Sequence, residues 1–544
     1  MKRFLTYTAL LLLLAGEMSS CKKTISADYE NPELISTGSM GKLLSGMFLN
    51  KRIHPSYYDF ATFVVPTTGG FSQETPIDPG IDMYEPSINY NEARWDDYYD
   101  GSMPSAGNGI DYNYNGPGIL SNYREMQTTY AALTPAQQAE QLVYLQCAKV
   151  LLYDQTAQMV DLWGDIPFSK ANSLNSPSRS ISFAPFDNQI AIYDTLISGL
   201  EQLNTWFASA TVAGDVQSEF TAQDILLGGK LDSWRRYSNS LLLRLLMRTS
   251  YYDENDAKTQ VATMLGNPGT WPLISDNSYN VVLNESQPAL KSDMQSALAP
   301  TPGSGLGAPI YAPAFMMDTI MVANGDPRTQ VYYDSVQGQP YVGFPANGTS
   351  AQYAAGGYAV YDSATFIYNY NVPGVIFTAA EVSFFTAEAN ERWGAGSMTA
   401  AAAYAQGINQ SVNFWYGVNQ AKQDKQGYSA AALATPAQAV IDNYVNNSGM
   451  AYNGPQGGTQ AQRLALIATQ NWLNYFIMQA GQAWAEVRRT GYPALTFQTS
   501  SLSTATAPPT RLLYPSSEQL YNTVNYQTVS GKDQSNVKVF WQVK

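Results

Sequence analysis

The residues best suited to contact a ligand are aromatic side chains in stretches of Asn, Asp, Gly and Pro that show no helical period. They are Trp95, Tyr98, Tyr99, Tyr112, Tyr114, Tyr311 and Tyr341. A flat ring can stack on the apolar C–H face of a sugar, while nearby amides and carboxylates hydrogen-bond its hydroxyl groups. The same rings could instead anchor their loops to the core. We predict that these residues form a ligand-binding surface for a neutral oligosaccharide, with a peptide as the alternative ligand.

Nucleophilic and metal-dependent catalysis is poorly supported by the residue counts. The chain of 544 residues has one histidine, His54, and two cysteines, so a catalytic triad would have to include that histidine. Zinc sites built from several histidines or cysteines are excluded. Asp96, Asp97 and Asp100 are close in sequence, but a glycosidase needs two carboxylates at a defined separation in space. We expect a binding protein and not an enzyme, with a surface glycosidase as the weaker alternative.

Two motifs suggest a metal or a nucleotide, and neither fits its required context. Residues 111–116, which begin at Asp111, match the first half of a calcium-binding EF-hand loop. The twelfth position of that loop is Asn122, where the motif needs a bidentate glutamate. Residues 303–308 fit the glycine pattern of dinucleotide-binding proteins, but they lie among prolines with no strand before them. We predict neither a metal nor a cofactor.

The charge balance limits the possible partners. The chain has 30 Lys and Arg against 44 Asp and Glu, which gives a net charge of -14. Nucleic-acid binding depends on clustered Lys and Arg, so no nucleic-acid partner is expected. Charged residues make up only 14% of the chain, aromatic residues reach 12%, and 38 residues are tyrosine. A surface that is poor in charge and rich in tyrosine suits neutral, polar ligands.

The N-terminus has the pattern of an export signal. Two cationic residues precede an uncharged run over 4–15, which is too short to span a bilayer but suits a signal peptide. Cys21 follows two serines and resembles the cysteine of a bacterial lipobox, which is acylated after cleavage. We predict a lipoprotein signal peptide over 1–20, a lipidated Cys21 and a single domain over 21–544, with a plain secretory peptide as the alternative. The second cysteine, Cys147, lies in an apolar run and should be buried.

Several helices can be located from their terminal residues. Residues 134–137 form a capping box with proline at the first helical position, and the helix should continue to Trp163. The same four letters recur at 435–438, and residues 378–381 form a third box. The helix that starts there should end at Gly394, because glycine readily adopts the conformation that follows a helix.

Two further helices carry conspicuous arginines. A helix over 234–250 places Arg236, Arg244 and Arg248 on one polar stripe, and we expect these arginines to meet carboxylates of neighbouring segments. A helical run over 463–489 ends in two arginines and is followed by a glycine and a proline. Cations favour the C-terminal end of a helix, and glycine and proline stop it, so these arginines should be structural.

The organisation of the chain indicates the fold class. The helix closed by Gly394 and a second helix over about 398–416 form a helix–turn–helix unit of the size of a tetratricopeptide repeat. Strand signals are short, at 366–368 and 537–540. Polar stretches without a period, which in compact domains usually carry function, occur at 70–120, 266–312, 333–376 and 445–460. We predict a mainly α fold, with a tetratricopeptide-like helical repeat scaffold, long irregular loops and a little β-structure.

Short motifs in order along almost the whole mature chain resemble those of the SusD/RagB family of nutrient-binding outer-membrane lipoproteins, in particular its SusD-like-2 branch. The first is Asp-Leu-Trp-Gly-Asp-Ile-Pro-Phe, which is similar to the GDIPY-type signature of that family. The matching segments are 161–168, 234–244, 326–328, 380–389, 470–472, 483–493 and 511–515. Each segment alone is short, and the specificity of the resemblance comes from their number and order.

The resemblance implies an accessory role in nutrient uptake. Proteins of this family are lipid-anchored on the outer face of the outer membrane of Bacteroidetes-type bacteria. They cap a SusC-like TonB-dependent barrel and deliver an oligomeric nutrient to it. The tetratricopeptide helices of the family face the barrel, and irregular loops form the ligand surface. The matched motifs are helix ends and packed faces, so they carry no ligand-contact residues over to this chain.

Overall fold

The structure of this chain is a computed structural model that describes most of its residues. The described residues are 39–53, 59–76, 84, 88–100, 118–173, 183–284, 294–299, 310–336, 338–498 and 505–544. The predicted signal peptide over 1–20 and Cys21 lie outside them, as do Asp111, Tyr112 and Tyr114. What the sequence indicates for these residues stays a prediction.

The fold is mainly α, as predicted. The α-helices are α1 (Met40–Phe48), α2 (Ile88–Tyr99), α3 (Ile119–Ala131), α4 (Pro135–Trp163), α5 (Gln189–Ser209), α6 (Gly214–Gln223), α7 (Leu231–Thr249), α8 (Glu254–Gly266), α9 (Gln295–Leu298), α10 (Thr329–Tyr332), α11 (Ser350–Ala355), α12 (Ala379–Trp393), α13 (Ala400–Gln420), α14 (Gln438–Asn447), α15 (Gln460–Tyr475), α16 (Ala480–Thr490), α17 (Ser516–Tyr521) and α18 (Thr523–Tyr526). π-Helical segments occupy Phe60–Gly69, Phe315–Val322 and Ser363–Ile367, and short 3-10 turns occupy Asn277–Tyr279, Pro455–Gly457, Ile477–Gln479 and Ser530–Lys532.

The strands of the described residues form two small antiparallel pairs. They are β1 (Val281–Leu283) paired with β4 (Gly374–Phe377), and β2 (Tyr333–Asp334) paired with β3 (Val360–Tyr361). Both strand predictions were wrong, because 366–368 falls on and just after a π-helical turn and 537–540 has no strand. Phe366 is fully buried in that turn. Strand propensity of aromatic and β-branched residues largely reflects their preference for a buried position. Here the Phe366 side chain is buried within a helical turn, so no strand is needed to bury it.

The predicted helix–turn–helix unit is present as α12 and α13, which pack closely against each other. α12 ends at Gly394, whose φ of +66° is a left-handed conformation that glycine adopts without strain. Gly407 of α13 lies directly on the Phe384 ring of α12, and an added Cβ would approach a ring atom to 2.6 Å. A side chain at that position would therefore push the two helices apart.

Buried apolar side chains form two large clusters. The first gathers residues of α1, α3, α4, α5 and α7, and the second gathers residues of α12, α13 and α15 with the π-helical segments. Cys147 of α4 is fully buried in the first cluster with a free thiol, which confirms the prediction for that residue. Each cluster joins helices that are far apart in the sequence, so the scaffold holds its loops against a continuous interior.

The capping predictions are confirmed at one site and wrong at another. Thr134 and Gln137 form the predicted box at the start of α4. At 435–438 no box forms, because α14 begins only at Gln438. The hydroxyl of Thr435 instead accepts a hydrogen bond from a glutamine of α13. A tertiary contact thus replaces the local one that the sequence pattern predicts.

Two arginines of the α7 stripe meet carboxylates of other helices, as predicted, whereas the third, Arg236, pairs with Asp232 of its own helix. Arg244 contacts Glu381 at 2.6 Å, and Arg248 contacts Asp161 at 2.7 Å, with all four side chains largely shielded from solvent. Glu381 was expected to complete a capping box at the start of α12. Thr378 does cap that helix, but the Glu381 carboxylate turns to Arg244. The third predicted box is therefore only half formed.

The helical run predicted over 463–489 is divided into two helices. α15 ends at Tyr475 and α16 begins at Ala480, and between them Phe476 has a φ of +45°. Such a conformation is unfavourable for a residue with a side chain. The Phe476 ring stacks on Tyr332 with a centroid distance of 4.0 Å. Burial of this ring in the second cluster therefore accompanies the break in the helix.

Candidate functional site

Trp95 lies on a helix and not in a loop, which corrects the sequence interpretation of this segment. The residue belongs to α2 and is only 3% exposed. Its ring packs edge to face on Trp163 at 5.3 Å and on Tyr514 at 6.0 Å. Both faces of the indole are therefore covered by the protein. In this structure Trp95 has the role of a core anchor, the alternative that the sequence left open.

Tyr98 and Tyr99 follow on the same helix and are held in the same way. The Tyr98 hydroxyl shares a hydrogen bond of 2.7 Å with that of Thr156, and the Tyr99 hydroxyl donates to the carbonyl of Pro167 at 2.7 Å. Burial raises the pKa of both phenols well above the usual value, so both remain neutral donors. Tyr98 has no exposed surface. Tyr98 therefore presents no face on which a ligand could stack, whereas Tyr99 is half-buried and packs on the rings of Trp95 and Tyr98 at 5.0 and 4.9 Å.

Tyr311 lies in a small buried aromatic cluster and not on an open loop surface. It is 6% exposed and packs with Phe344, Tyr353 and Tyr358, with ring centroids 6.2, 4.9 and 5.5 Å away. Its hydroxyl donates to the carbonyl of Tyr353 at 3.2 Å. Backbone hydrogen bonds join the segments around this cluster: the N–H of Ala312 donates to the carbonyl of Ala359, that of Phe344 to Ala312, and that of Ala359 to Val342. These bonds hold the segments around Ala312, Phe344 and Ala359 together, and we call these three segments the aromatic base.

Tyr341 lies next to the aromatic base and is half-buried against the second cluster. Partial burial and the nearby charges of Asp334 and Asp362 raise the pKa of its phenol. Asp334 is itself held in place, because its carboxylate accepts the backbone N–H of Ser363 at 2.8 Å. Tyr341 is therefore the member of the predicted set that combines partial exposure with a nearby hydrogen-bond acceptor.

A stacked pair of tyrosines, Tyr368 and Tyr428, lies beside the same aspartate. Their ring centroids are 4.0 Å apart with an interplanar angle of 16°, and Tyr428 is 42% exposed. Burial, Tyr428 and the charge of Asp334 raise the pKa of Tyr368, so Asp334 acts electrostatically on both Tyr341 and Tyr368. We call Tyr341, Tyr368, Tyr428 and Asp334 the tyrosine patch. It offers an exposed flat ring and a carboxylate acceptor, the two features that a sugar ring requires.

Neither Tyr368 nor Tyr428 belongs to the set of ligand contacts predicted from the sequence. Tyr368 was placed in a predicted strand, and Tyr428 follows the polar run 419–427. The sequence of that run does contain a turn signal, because Gly427 directly precedes the aromatic Tyr428. In the structure this glycine has a φ of +87°. Two backbone hydrogen bonds bring the two tyrosines together: the N–H of Tyr370 donates to the carbonyl of Gln423, and the N–H of Lys425 donates to the carbonyl of Tyr368. Pairing across that distance cannot be read from local sequence.

A groove lies among α7, α8, α12 and α13. It has a volume of about 500 Å³ and is lined by Trp271, Leu265, Met398 and others. Its polar side chains are already engaged: Arg236 donates to the carbonyl of Leu273 at 2.8 Å and covers the Tyr279 ring at 4.1 Å. The groove is large enough for a sugar ring, but its arginine is already engaged.

The described residues hold no group of His, Cys, Asp and Glu side chains that could bind a metal ion. Within the same residues, no helix has both the length and the apolar character needed to cross a membrane. The arginines of 483–493 have the structural roles expected of them. Arg489 contacts Glu388 at 2.5 Å and Glu486 at 2.6 Å, and Arg488 donates to the carbonyls of Asp161 and Thr510.

Comparison with known structures places the chain among solved SusD homologues. A chitin-binding protein superposes with a TM-score of 0.69 at 20% identity, covering 93% of this chain and 100% of the other. A chitin-binding SusD homologue from Flavobacterium johnsoniae gives a TM-score of 0.66 at 21% identity over 93% and 99% of the two chains. A SusD homologue from Bacteroides fragilis gives 0.66 at 17% identity over 92% and 99%. At these identities the similarity establishes the fold.

The sequence itself establishes the family. No curated protein sequence matches the chain. The profile of the SusD-like-2 family, described as starch-binding and associating with the outer membrane, matches residues 74–515. This range covers most of the chain and includes α2 to α16, both strand pairs and the tyrosine patch. This match shows that the chain belongs to the SusD-like-2 family of binding proteins, which is described as starch-binding and associating with the outer membrane.

Proposed function

We propose that this protein binds an oligosaccharide at the tyrosine patch and delivers it to a SusC-like TonB-dependent transporter in the outer membrane. The observation that carries the proposal is the stacked pair of half-buried Tyr368 and exposed Tyr428, with the charge of Asp334 acting on Tyr368. An exposed aromatic face gives affinity for a sugar ring, and the carboxylate gives orientation through hydroxyl groups. A rigid scaffold under such a surface is typical of ligand sites.

The comparisons support a carbohydrate as the ligand. The family is described as starch-binding, and two of the similar structures are described as chitin-binding. Starch and chitin are both neutral glycans, which agrees with the low charged fraction of this chain. An oligopeptide is the alternative ligand. Tyr112 and Tyr114 remain proposed ligand contacts, whereas Trp95 and Tyr98 are left out because their rings are buried.

The location follows from the family and from the N-terminus. The family associates with the outer membrane, and we propose that this chain is anchored there on the cell surface through a lipid on Cys21. A surface position allows the protein to capture an oligosaccharide that is too large for passive diffusion. Delivery is tested by co-purification of the full-length protein with a TonB-dependent barrel from its native outer membrane. Deletion of this protein should also abolish uptake of the oligosaccharide that it binds.

Ligand binding is tested by calorimetry on full-length protein in detergent, with malto-oligosaccharides, chitin oligosaccharides and mixed oligopeptides. Tyr428→Ala should weaken glycan binding about fivefold, because one aromatic stacking contact contributes about 1 kcal/mol. Tyr428→Phe keeps the ring and should retain most of the affinity. Tyr521→Ala is the matched control, since Tyr521 is 71% exposed on α17, outside the patch.

Each outcome separates the alternatives. Equal glycan binding by wild type and Tyr428→Ala, together with a loss in Trp271→Ala, would move the site to the groove beside α8. Binding of peptides but of no glycan would replace the carbohydrate proposal with the peptide alternative. Binding of no ligand by a folded, co-purifying protein would contradict the proposal and favour a scaffold that contacts only its transporter.

A further inference from the structure

A small polar cavity lies inside the fold, away from the tyrosine patch. It has a volume of about 90 Å³ and is bordered by α4, the π-helix Phe60–Gly69 and the turn that joins α15 to α16. Two arginines, Arg52 and Arg94, line it together with Gln155 and Gln479. This space exceeds what one water molecule needs, and its polar walls would not remain dry.

The hydrogen-bonding capacity of the two guanidinium groups is not exhausted. Arg52, which is 8% exposed, donates from Nε to Gln155 Oε1 and from Nη1 to the carbonyl of Arg94, both at 2.9 Å. Its Nη2 is buried and has no hydrogen-bond partner, and neither has Nε of Arg94. Burial and the mutual repulsion of the pair lower the pKa of Arg52, and burial lowers that of Arg94. Arg94 is half-buried and Arg52 is buried, and an unpaired donor of a buried cation is costly unless an acceptor reaches it.

Four carboxylates line the cavity or act on the two arginines, namely Asp161, Asp97, Asp154 and Asp59. The oxygens of Asp154 already accept hydrogen bonds from Arg244, Tyr237 and Gln158. Asp161 lines the cavity, but its oxygens already accept hydrogen bonds from Arg248, Tyr193 and Trp541. Asp97 lies close to both arginines, yet its Oδ1 has no hydrogen-bond partner. Burial and the negative charge of neighbouring Asp59 raise the pKa of Asp97 to about 7, so its carboxylate is only partly ionised near neutral pH.

We propose that this cavity binds a small oxyanion, held by Nη2 of Arg52 and Nε of Arg94. Guanidinium groups prefer planar, multidentate acceptors such as phosphate, sulfate or carboxylate oxygens. Gln479 also faces the cavity with an unpartnered carbonyl Oε1, which can accept a hydrogen bond from a protonated oxyanion. The anion would tie the segment before α2 to the turn before α16, and so link the two hydrophobic clusters.

The anion could be free in solution, or it could be the carboxylate of an acidic sugar. Thermal unfolding and calorimetry of the full-length protein in detergent distinguish these sources, with phosphate, sulfate, acetate and glucuronate titrated at constant ionic strength against chloride. We expect a saturable rise in melting temperature with at least one oxyanion. A response to glucuronate alone would identify an acidic sugar, and a response to phosphate or sulfate would identify a free ion.

Three variants test the site. Arg94→Gln should weaken oxyanion binding about tenfold or more, because hydrogen bonds to a charged group are lost. Gln155→Glu places a carboxylate against Arg52, so it should raise the melting temperature without anion and abolish the response to added anion. Arg235→Gln is the control, because Arg235 bonds only to Asn204 and the carbonyl of Thr270, away from the cavity.

The result that overturns the proposal is equally clear. If all salts raise the melting temperature linearly and alike in wild type, Arg94→Gln and Gln155→Glu, the effect is general salt stabilisation and the cavity holds only water. An unchanged midpoint of the phosphate titration in Gln155→Glu would also contradict it, since that variant retains the cavity but supplies its own negative charge.

Discussion

Arg244 and Glu381 form a bidentate ion pair inside the protein, with Nε–Oε1 at 2.6 Å and Nη2–Oε2 at 2.8 Å. Their side chains are 2% and 0% exposed. Arg244 comes from the centre of α7 and Glu381 from the first turn of α12, so the pair joins two helices that are distant in sequence. Asp154 of α4 and the hydroxyl of Tyr475 in α15 contact the same pair at 3.2 and 3.0 Å. Four helices therefore meet at one charged centre.

Removal of one member of this pair should be strongly destabilising. Glu381→Gln leaves the Arg244 guanidinium buried without its main counter-ion, and we expect the free energy of unfolding to fall by about 3–5 kcal/mol. The control is Asp232→Asn, which breaks the Arg236–Asp232 pair on the surface, where Asp232 is 57% exposed. That change should cost less than about 1 kcal/mol. Denaturant unfolding of both variants measures the difference, and equal losses would contradict the role assigned to burial.

The scaffold could be predicted because its signals are local. The capping box at Thr134, the glycine at Gly394 and the four-residue spacing of the α7 arginines each follow from helix geometry. What the sequence could not give is the partner of each buried group. By sequence pattern alone, Glu381 is expected to complete a capping box with Thr378. The packing of α7 against α12 instead brings its carboxylate to Arg244.

The ligand surface was harder to predict because exposure is a property of the whole fold. Trp95 and Tyr98 stand in a polar sequence, yet Trp163 and Tyr514, far along the chain, cover the indole. Conversely, Tyr428 is exposed because Tyr368 supports only one face of its ring. Composition identified regions rich in aromatic residues, but it could not determine which side of each ring meets solvent.

This difference in burial gives a prediction for Trp95. Trp95→Ala should lower the free energy of unfolding by about 3–5 kcal/mol, the usual cost of truncating a large buried aromatic side chain. Tyr428→Ala should leave stability nearly unchanged, because a partly exposed ring contributes little to the core. Thermal and denaturant unfolding, recorded beside the glycan titrations, compare the two. If Trp95→Ala remained as stable as wild type and lost glycan affinity, the original interpretation of Trp95 as a ligand contact would be restored.

Glu74 predicts a pH dependence of stability. Its side chain has no exposed surface, its Oε1 has no partner, and burial raises the pKa of its carboxyl group well above the usual value. The folded state thus retains a proton that the unfolded state has already released. This contribution to stability is fully present below the unfolded pKa and is lost as pH rises towards the folded pKa, at about 1.4 kcal/mol per pH unit.

Glu74→Gln should therefore be more stable than wild type at pH 8 and similar to it at pH 4. Glu388→Gln serves as the contrast, because Arg489 and Arg392 hold the pKa of Glu388 below its usual value despite burial. The stability that Glu388 contributes is present above its unfolded pKa and lost as pH falls, so that variant should be destabilised most near neutral pH. Unfolding free energies measured from pH 4 to pH 8 give both curves, and parallel curves for the two variants would show the Glu74 argument to be wrong.

We predict that a lipid on Cys21 attaches the protein to the membrane. The cysteine follows a signal-peptide pattern that ends in a lipobox-like sequence. A hydrocarbon chain contributes about 0.8 kcal/mol of binding per buried CH₂ group, so its removal should release the protein. Cys21→Ala should move the protein from the membrane fraction to the soluble fraction without changing its melting temperature, and Cys147→Ala should leave it membrane-bound. The assay belongs in cells that lack the transporter, since binding to a barrel would also retain the protein, and continued sedimentation of Cys21→Ala there would disprove the lipid anchor.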